Sequence, residues 1–212
     1  ALPAARAGAS VTGLDFAPNL LAQARARAAA EGLDIRLDEG DAEALPYADG
    51  AFDTVASMFG AMFAARPERV AAELLRVCRP GGRVVMTNWT PDSIIGQLGA
   101  LVGHYAPPPP MLAPPVLWGV EATARERLRE GSAGVRIGRR RYPLAFPFGP
   151  AEVADLFIHH LGAVQRAYST LDADRQAAFR RDLTALWTDR NSAADGTTRV
   201  ESDYLEVVAA RA

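Results

Sequence analysis

Short apolar segments alternate with longer stretches whose apolar residues recur every three or four positions, and this alternation runs through residues 1–90. Ala1–Ala7 is alanine-rich and favours helix, with Gly8 as a natural stop. Ser10–Asp15 (SVTGLD) reads as a strand ending in a carboxylate. Pro18 suits the first turn of a helix over Asn19–Glu31, which Gly32 closes. A second strand, Ile35–Glu39, leads into an acidic elbow at Asp41-Ala42. The polar turn Tyr47–Gly50 separates that elbow from a third strand, Phe52–Ser57. Pro67 opens a helix with Val70, Ala71, Leu74 and Val77 on one face, and Pro80-Gly81-Gly82 turns the chain into a strand over Arg83–Thr87.

Strand–helix alternation of this kind predicts right-handed βαβ units and a parallel sheet covered on both faces. Ligands of such sheets bind outside the carboxyl ends of the strands. Asp15, Asp41 and Ser57-Met58 all fall at such ends, so the pattern points to one crevice shared by neighbouring strands.

The second half changes character. Asp92–Val102 carries Ile94, Ile95, Leu98, Leu101 and Val102 at helical spacing. A connector with prolines at 107–110, 114 and 115 is expected to be extended and semi-rigid, packed on the surface through Met111, Leu112, Val116 and Trp118. A charged helix over Glu121–Glu130 precedes a strand near Val135–Tyr142. Helices follow at Pro150–Leu161 and Ala173–Asp189, the latter with Phe179, Leu183, Leu186 and Trp187 as its buried stripe. A last strand is expected near Tyr204–Ala209.

Composition narrows the chemistry. A chain of 212 residues with 49% hydrophobic and 23% charged positions suits one α/β domain with a substantial core. Its net charge of −2 argues against a dedicated nucleic-acid binder. All 23 basic residues are arginines, which excludes Schiff-base lysine chemistry and the phosphate-binding lysine of a P-loop. A single cysteine, Cys78, rules out an intramolecular disulfide, and the scattered histidines lack metal-ligand spacing, so no metal is expected. No run approaches a membrane span and the start lacks a signal-peptide layout, which predicts a cytoplasmic protein.

A carboxylate closing a strand at Asp15 can accept hydrogen bonds from two adjacent ribose hydroxyls, although many strands end in Asp simply to cap the next helix. At the elbow, Asp41 can accept from an adenine amino group while the Ala42 N–H donates to the neighbouring ring nitrogen; its plainer reading is a cap on the turn before Leu45-Pro46. The pair at consecutive strand ends favours a nucleoside.

The run VTGLDFAPNLLAQAR, the elbow GDAEALPYADGAFDTV and the segment LLRVCRPGGRVVM, in that order, resemble class I S-adenosylmethionine-dependent methyltransferases. The resemblance is greatest to the small-molecule branch that includes ubiquinone- and menaquinone-biosynthesis-type enzymes, and it covers roughly Ala1–Trp89. It implies a Rossmann-like α/β fold, with a mostly parallel seven-stranded sheet, helices on both faces and an antiparallel last strand. It implies S-adenosylmethionine as cofactor, and methyl transfer to a small, largely apolar acceptor by in-line displacement. Asp15 then resembles the ribose-binding acid and Phe16 the apolar neighbour of the adenine, while Asp41 and Ala42 resemble the adenine-reading pair. Ser57 and Met58 resemble the positions facing the methionine portion and the methyl group. Asp53 and the Arg79–Gly82 turn read as structural. The family's first strand and glycine-rich loop have no counterpart in residues 1–212, so Ala1–Ala7 is expected to be the tail of the helix behind that loop, in a protein that begins earlier. The expected organisation is a single domain: a cofactor half at 1–90, a helical and proline-rich acceptor wall at 91–190, and the last strand at 199–212.

Methyl transfer needs little acid–base machinery, so the absence of a triad or paired-carboxylate motif fits. Phe59, Tyr47 and Trp89 are candidates for cation–π contact with a sulfonium, with core packing the plainer reading of Tyr47. His104 is the weak candidate for a base, and its plainer reading is a solvated helix end; His160 is expected in its helix's apolar stripe and His159 on the surface. Arg139-Arg140-Arg141 reads as a solvated strand edge rather than an anion site, with Arg139 and Arg141 on one face. Neither nucleic-acid nor membrane partners are expected, and a homo-oligomer stays open. The alternative is a non-catalytic or non-methylating protein that keeps the fold. An NAD-dependent oxidoreductase would share the acid after the second strand but leaves the Asp41 elbow unexplained.

Overall fold

The computed structural model describes residues 1–109 and 112–212. Helix α1 spans Leu2–Arg6, strand β1 Val11–Asp15, helix α2 Pro18–Ala30 and strand β2 Ile35–Glu39. Gly8 and Gly32, at φ 85° and 64°, take the left-handed conformation just past the two helices, as their sequence positions predict. β1 and β2 pair in parallel from Val11 opposite Ile35 to Asp15 opposite Glu39, with α2 as the crossover.

A second βαβ unit follows. β3 (Phe52–Met58), α3 (Pro67–Val77) and β4 (Cys78–Trp89) place β3 and β4 side by side in parallel. β4 begins earlier than Arg83 because the Arg79–Gly82 turn is folded into the pairing: Phe52 lies opposite Cys78 and Thr54 opposite Arg83, with a register shift between. A Cβ on Gly82 would lie 2.7 Å from the Asp53 carbonyl oxygen, and Arg79 Nε donates to Asp53 Oδ1 at 2.5 Å. Asp53 and the turn thus serve as the joint between two strands.

The rest of the chain comprises α4 (Ile94–Tyr105), a tight helical turn (Pro115–Gly119), α5 (Glu121–Leu128), β5 (Ser132–Phe146), α6 (Pro150–His160), α7 (Gly162–Ser169), α8 (Ala173–Arg190) and β6 (Thr198–Arg211). β6 runs antiparallel to both β4 and β5, giving the order β3-β4-β6-β5, while β1-β2 form their own pair. The architecture is α/β and Rossmann-like. Among the described residues it holds six strands, the last of them antiparallel.

Alternation along β6 divides the core. Leu205, Val207 and Ala209 point into one cluster with Val70, Leu74, Val84, Met86, Trp118 and Leu128, beneath α3 and α5. Val200, of opposite parity, joins a second cluster with Ile94, Leu98, Val153, Phe179, Leu183 and Trp187 among α4, α6, α7 and α8.

Several expectations are corrected. The proline-rich connector is not extended throughout: Pro115–Gly119 turns helically and buries Trp118, because fixed proline φ values also suit a first helical turn. Pro110 and Met111 lie outside the described residues. α7 was not anticipated; it opens on Gly162, a poor start signal, yet buries Val164 and Ala167. β5 and β6 extend well beyond their apolar segments because their polar halves pair with each other, and Pro143 is tolerated on β5, which lies at the sheet edge. His160 is exposed at the end of α6 rather than buried, because Val153, Ala154 and Ile158 already fill that helix's inner face.

Candidate functional site

β1 and β2 carry their acids to the same rim. Beyond the last register pair, Asp15 with Glu39, the Gly40 N–H donates to the Asp15 carbonyl at 3.1 Å, so Asp41 leaves the sheet beside Asp15. Each carboxylate spends one oxygen on its own loop. Asp15 Oδ1 accepts from the Ala17 N–H at 2.9 Å, and Asp41 Oδ1 accepts from the Glu43 N–H at 2.9 Å. Among the described residues the second oxygen of each has no donor, and the Ala42 N–H has no acceptor. An unengaged acceptor next to an unengaged donor is the chemistry an aminopyrimidine edge requires. Phe16, 80% exposed, holds an apolar ring at the same rim.

The elbow does not hang free. Glu43 is 4% exposed, and its carboxylate accepts from the Arg66 N–H at 2.8 Å and from Arg66 Nε at 2.5 Å. Arg69 Nε donates to the Glu43 carbonyl, and Glu73 Oε2 accepts from the Leu45 N–H at 2.7 Å. Arg76 donates to the carbonyls of Leu45 and Tyr47 and to Asp49. One face of α3 therefore reads the loop 43–49 residue by residue. The Arg66 N–H first, and then its guanidinium, hold the Glu43 carboxyl below the usual glutamate range. Arg76 does the same for Glu73. None of Glu43, Arg66, Arg69, Glu73 and Arg76 was singled out from the sequence, because the joint connects residues 23 to 31 apart, a spacing that no local pattern signals.

Ser57 and Met58 close β3. The Ser57 hydroxyl accepts from the Ala61 N–H at 2.9 Å, and Met58, 61% exposed, has its sulfur 3.9 Å from Thr87 Oγ1. Phe59 follows with φ 58°, a sparsely populated conformation for a bulky residue. Its ring stacks on Trp89 at 4.0 Å between centroids, and Tyr204 meets both edge-on. Ala42 and Phe59 pack against the same buried cluster, which links the elbow to the end of β3.

Other candidates sit apart. Tyr47 packs edge-on against Phe52 and donates to Asp38 at 3.1 Å, and burial first, then Asp38, pushes its phenol up to about 12, so it belongs to the fold. His104 is exposed in the last turn of α4, with its ring against Tyr105. Arg139 and Arg141 both pair with Asp203 across the strand, and Arg140, on the other face, pairs with Glu206. Two open clefts, of about 750 and 360 Å³, are lined by residues such as Phe146 and Arg199, and Arg76 and Cys78; neither includes Asp15 or Asp41. No helix among the described residues is long and apolar enough to cross a membrane.

Comparison with known proteins fits this geometry. Residues 1–86 match the family described as "Methyltransferase domain". Over 202 residues the chain is 39% identical to the uncharacterised protein Rv1403c of Mycobacterium tuberculosis, spanning 94% of this chain and 73% of that protein. Over 84 residues, 40% of this chain and 38% of the relative, it is 51% identical to demethylmenaquinone methyltransferase of Thermus thermophilus. The solved structure of BH2331 from Bacillus halodurans C-125 superposes with a TM-score of 0.62 at 15% identity, over 95% of this chain and 83% of that one. The cyclase SpnF superposes at 0.56 with 23% identity, over 99% and 70%. Both structural likenesses speak to the fold alone. Fold, strand-end rim and sequence together define a class I S-adenosylmethionine-dependent methyltransferase domain. The chain belongs to this family and, within it, is similar to the quinone-biosynthesis type.

Proposed function

We propose that the chain binds S-adenosylmethionine along the rim formed by β1, β2 and β3 and directs its methyl group to a small, largely apolar acceptor. The single observation that carries this is the Gly40–Asp15 bond, which sets two half-engaged carboxylates and the Ala42 N–H at one strand end. In this reading the Asp15 carboxylate accepts from the ribose hydroxyls and Phe16 covers one face of the adenine. Asp41 accepts from the adenine amino group, and Ala42 donates to the ring. Ser57 and Met58 face the methionine end.

When bound, S-adenosylmethionine would be held by Asp15, Asp41 and Ala42 at its adenosine part and would supply an electrophilic methyl on a sulfonium. The protein aligns the acceptor and excludes water. Phe59, Trp89 and Tyr204 offer aromatic faces near the Met58 end, suited both to an apolar acceptor and to a cation. Residues 91–190 serve as the acceptor wall. No residue of the described set is assigned as base; His104, exposed on α4, is not needed for an acceptor that ionises on its own.

Calorimetric titration with S-adenosylhomocysteine tests the assignment. Micromolar to submillimolar binding, weakened at least tenfold by Asp41→Ala, is expected; absence of binding at millimolar ligand overturns it. The second reading, a fold-keeping protein with no methyl transfer, rests on the fold alone, which the cyclase SpnF shares. Binding without turnover of radiolabelled methyl into any quinol, phenol or amine acceptor would support it.

A further inference from the structure

Glu43 belongs to none of the positions assigned to ligand contact, yet it is a deeply buried carboxylate two residues from Asp41. We infer that Glu43 is the positioning residue of the elbow: its side chain, locked into the start of α3, fixes the direction in which the Asp41 carboxylate and the Ala42 N–H face the ligand. This rests on the assignment of Asp41 and Ala42 as the adenine-reading pair.

Glu43 is held through three of its groups. Its carboxylate accepts from the N–H and the Nε of Arg66, its carbonyl accepts from Arg69 Nε at 2.8 Å, and its own N–H donates to Asp41 Oδ1 at 2.9 Å. With the first two fixed, the N–H vector is fixed, and with it one oxygen of Asp41. The other oxygen is then aimed without a ligand present, which is the preorganisation that spares binding the cost of ordering a loop. The Ala44 N–H, donating to the Asp41 carbonyl at 3.0 Å, closes the same turn.

The anchor is suited to the task. Arg66 is the residue preceding the first turn of the 11-residue helix α3, where N–H groups lack helical partners and a negative charge is favoured. A carboxylate from a loop 23 residues away caps that end, so loop and helix share one polar joint. Glu73 and Arg76, about two and three turns further along α3, hold Leu45 and Tyr47, so the far side of the elbow is fixed separately and its folding does not depend on Glu43 alone. The role can therefore be tested apart from stability.

The test is titration calorimetry with S-adenosylhomocysteine and with adenosine, run well below each variant's Tm, on the chain and on Glu43→Gln, Glu43→Ala, Asp41→Ala and the double variant. Gln keeps an acceptor for the Arg66 N–H and is expected to bind both ligands within about threefold of the parent, whereas Glu43→Ala weakens both about tenfold. Because Glu43 acts through Asp41 and Ala42, the loss in the double variant should fall clearly short of the sum of the two single losses. A lowered Tm with unchanged affinity in Glu43→Ala makes Glu43 a structural cap only and overturns the inference; so do fully additive losses. Should Glu43→Ala not fold, Glu43→Met fills more of the buried space while still removing the acceptor for the Arg66 N–H, and unchanged affinity there overturns it equally. If Asp41→Ala itself binds like the parent, the assignment of the elbow to adenine falls first, and this inference with it.

Discussion

Phe59 stacks on Trp89 with centroids 4.0 Å apart and planes 12° from parallel, and it reaches that position with φ at 58°. A bulky side chain in the left-handed region costs of order 1–3 kcal/mol and persists only where surrounding contacts enforce it. Here the enforcement comes from the Phe59 N–H donating to the Thr87 carbonyl at 3.0 Å and from the aromatic stack. The stack is expected to couple the two residues by about 0.5–1.5 kcal/mol. A double-mutant cycle with Phe59→Leu and Trp89→Leu, read by chemical denaturation, checks this; coupling near zero would mean that the bend is held by the backbone alone. Phe59→Gly should be less destabilising than Phe59→Ala, since it relieves the strain that Ala retains.

Trp89 is itself held by a close backbone approach. A Cβ on Gly119 would lie 2.0 Å from the Trp89 carbonyl oxygen and 2.6 Å from the Thr90 Cα, so no side chain fits between the Pro115–Gly119 turn and β4. Gly119→Ala must separate the two segments and uncover Trp118. A loss of about 1–3 kcal/mol is expected. Near-ultraviolet circular dichroism should lose tryptophan signal in proportion, whereas Gly99→Ala, inside α4 with nothing within 4 Å of its added Cβ, should leave that signal unchanged and raise stability by about 0.5–1 kcal/mol.

The first half of the fold was legible because local and tertiary signals agree there: Pro18, Gly32, Pro67 and Gly82 punctuate elements whose apolar period is unambiguous. The βα order and the strand-end acids followed from that pattern. The polar arms of β5 and β6 did not, because Arg139–Arg141 and Glu201–Asp203 become strand only through mutual pairing, which no local window contains. Glu43 illustrates the same gap at the site. In sequence it is one exposed-type acid among several; only the packing of α3 against the elbow, joining residues 23 apart, makes it a buried anchor.

That anchor predicts a pH response. Glu43 and Glu73 both have their folded-state acidity strengthened by arginine partners, so protons are bound more readily in the unfolded chain. Their stabilisation is complete above the unfolded glutamate value of about 4.3 and is lost as pH falls through the lower folded values. The Tm gap between the parent and Glu43→Gln should therefore be full at neutral pH and should close as the pH is taken below about 4. Thermal melts of both proteins between pH 7 and pH 3 measure it. A gap that widens on acidification would show the sign to be wrong.

Asp203 serves two cations, accepting from Arg139 Nη2 at 2.6 Å and from Arg141 Nε at 3.1 Å, while Arg139 also reaches Asp92. These are cross-strand pairs on one face of the β5–β6 ladder, where Arg141 lies directly opposite Asp203. Arg139 and Arg141 are half or more exposed, so water and salt screen most of the attraction, and Asp203→Asn should cost only about 0.5–1 kcal/mol at low ionic strength. The loss should shrink as salt approaches 1 M, where the screening length falls to about 3 Å. Binding of S-adenosylhomocysteine should not change, because Asp203 touches neither the elbow nor β1. An Asp203→Asn variant that kept its stability but lost the ligand would place the arginine cluster in the site, and would reverse the reading of Arg139–Arg141 as a solvated edge.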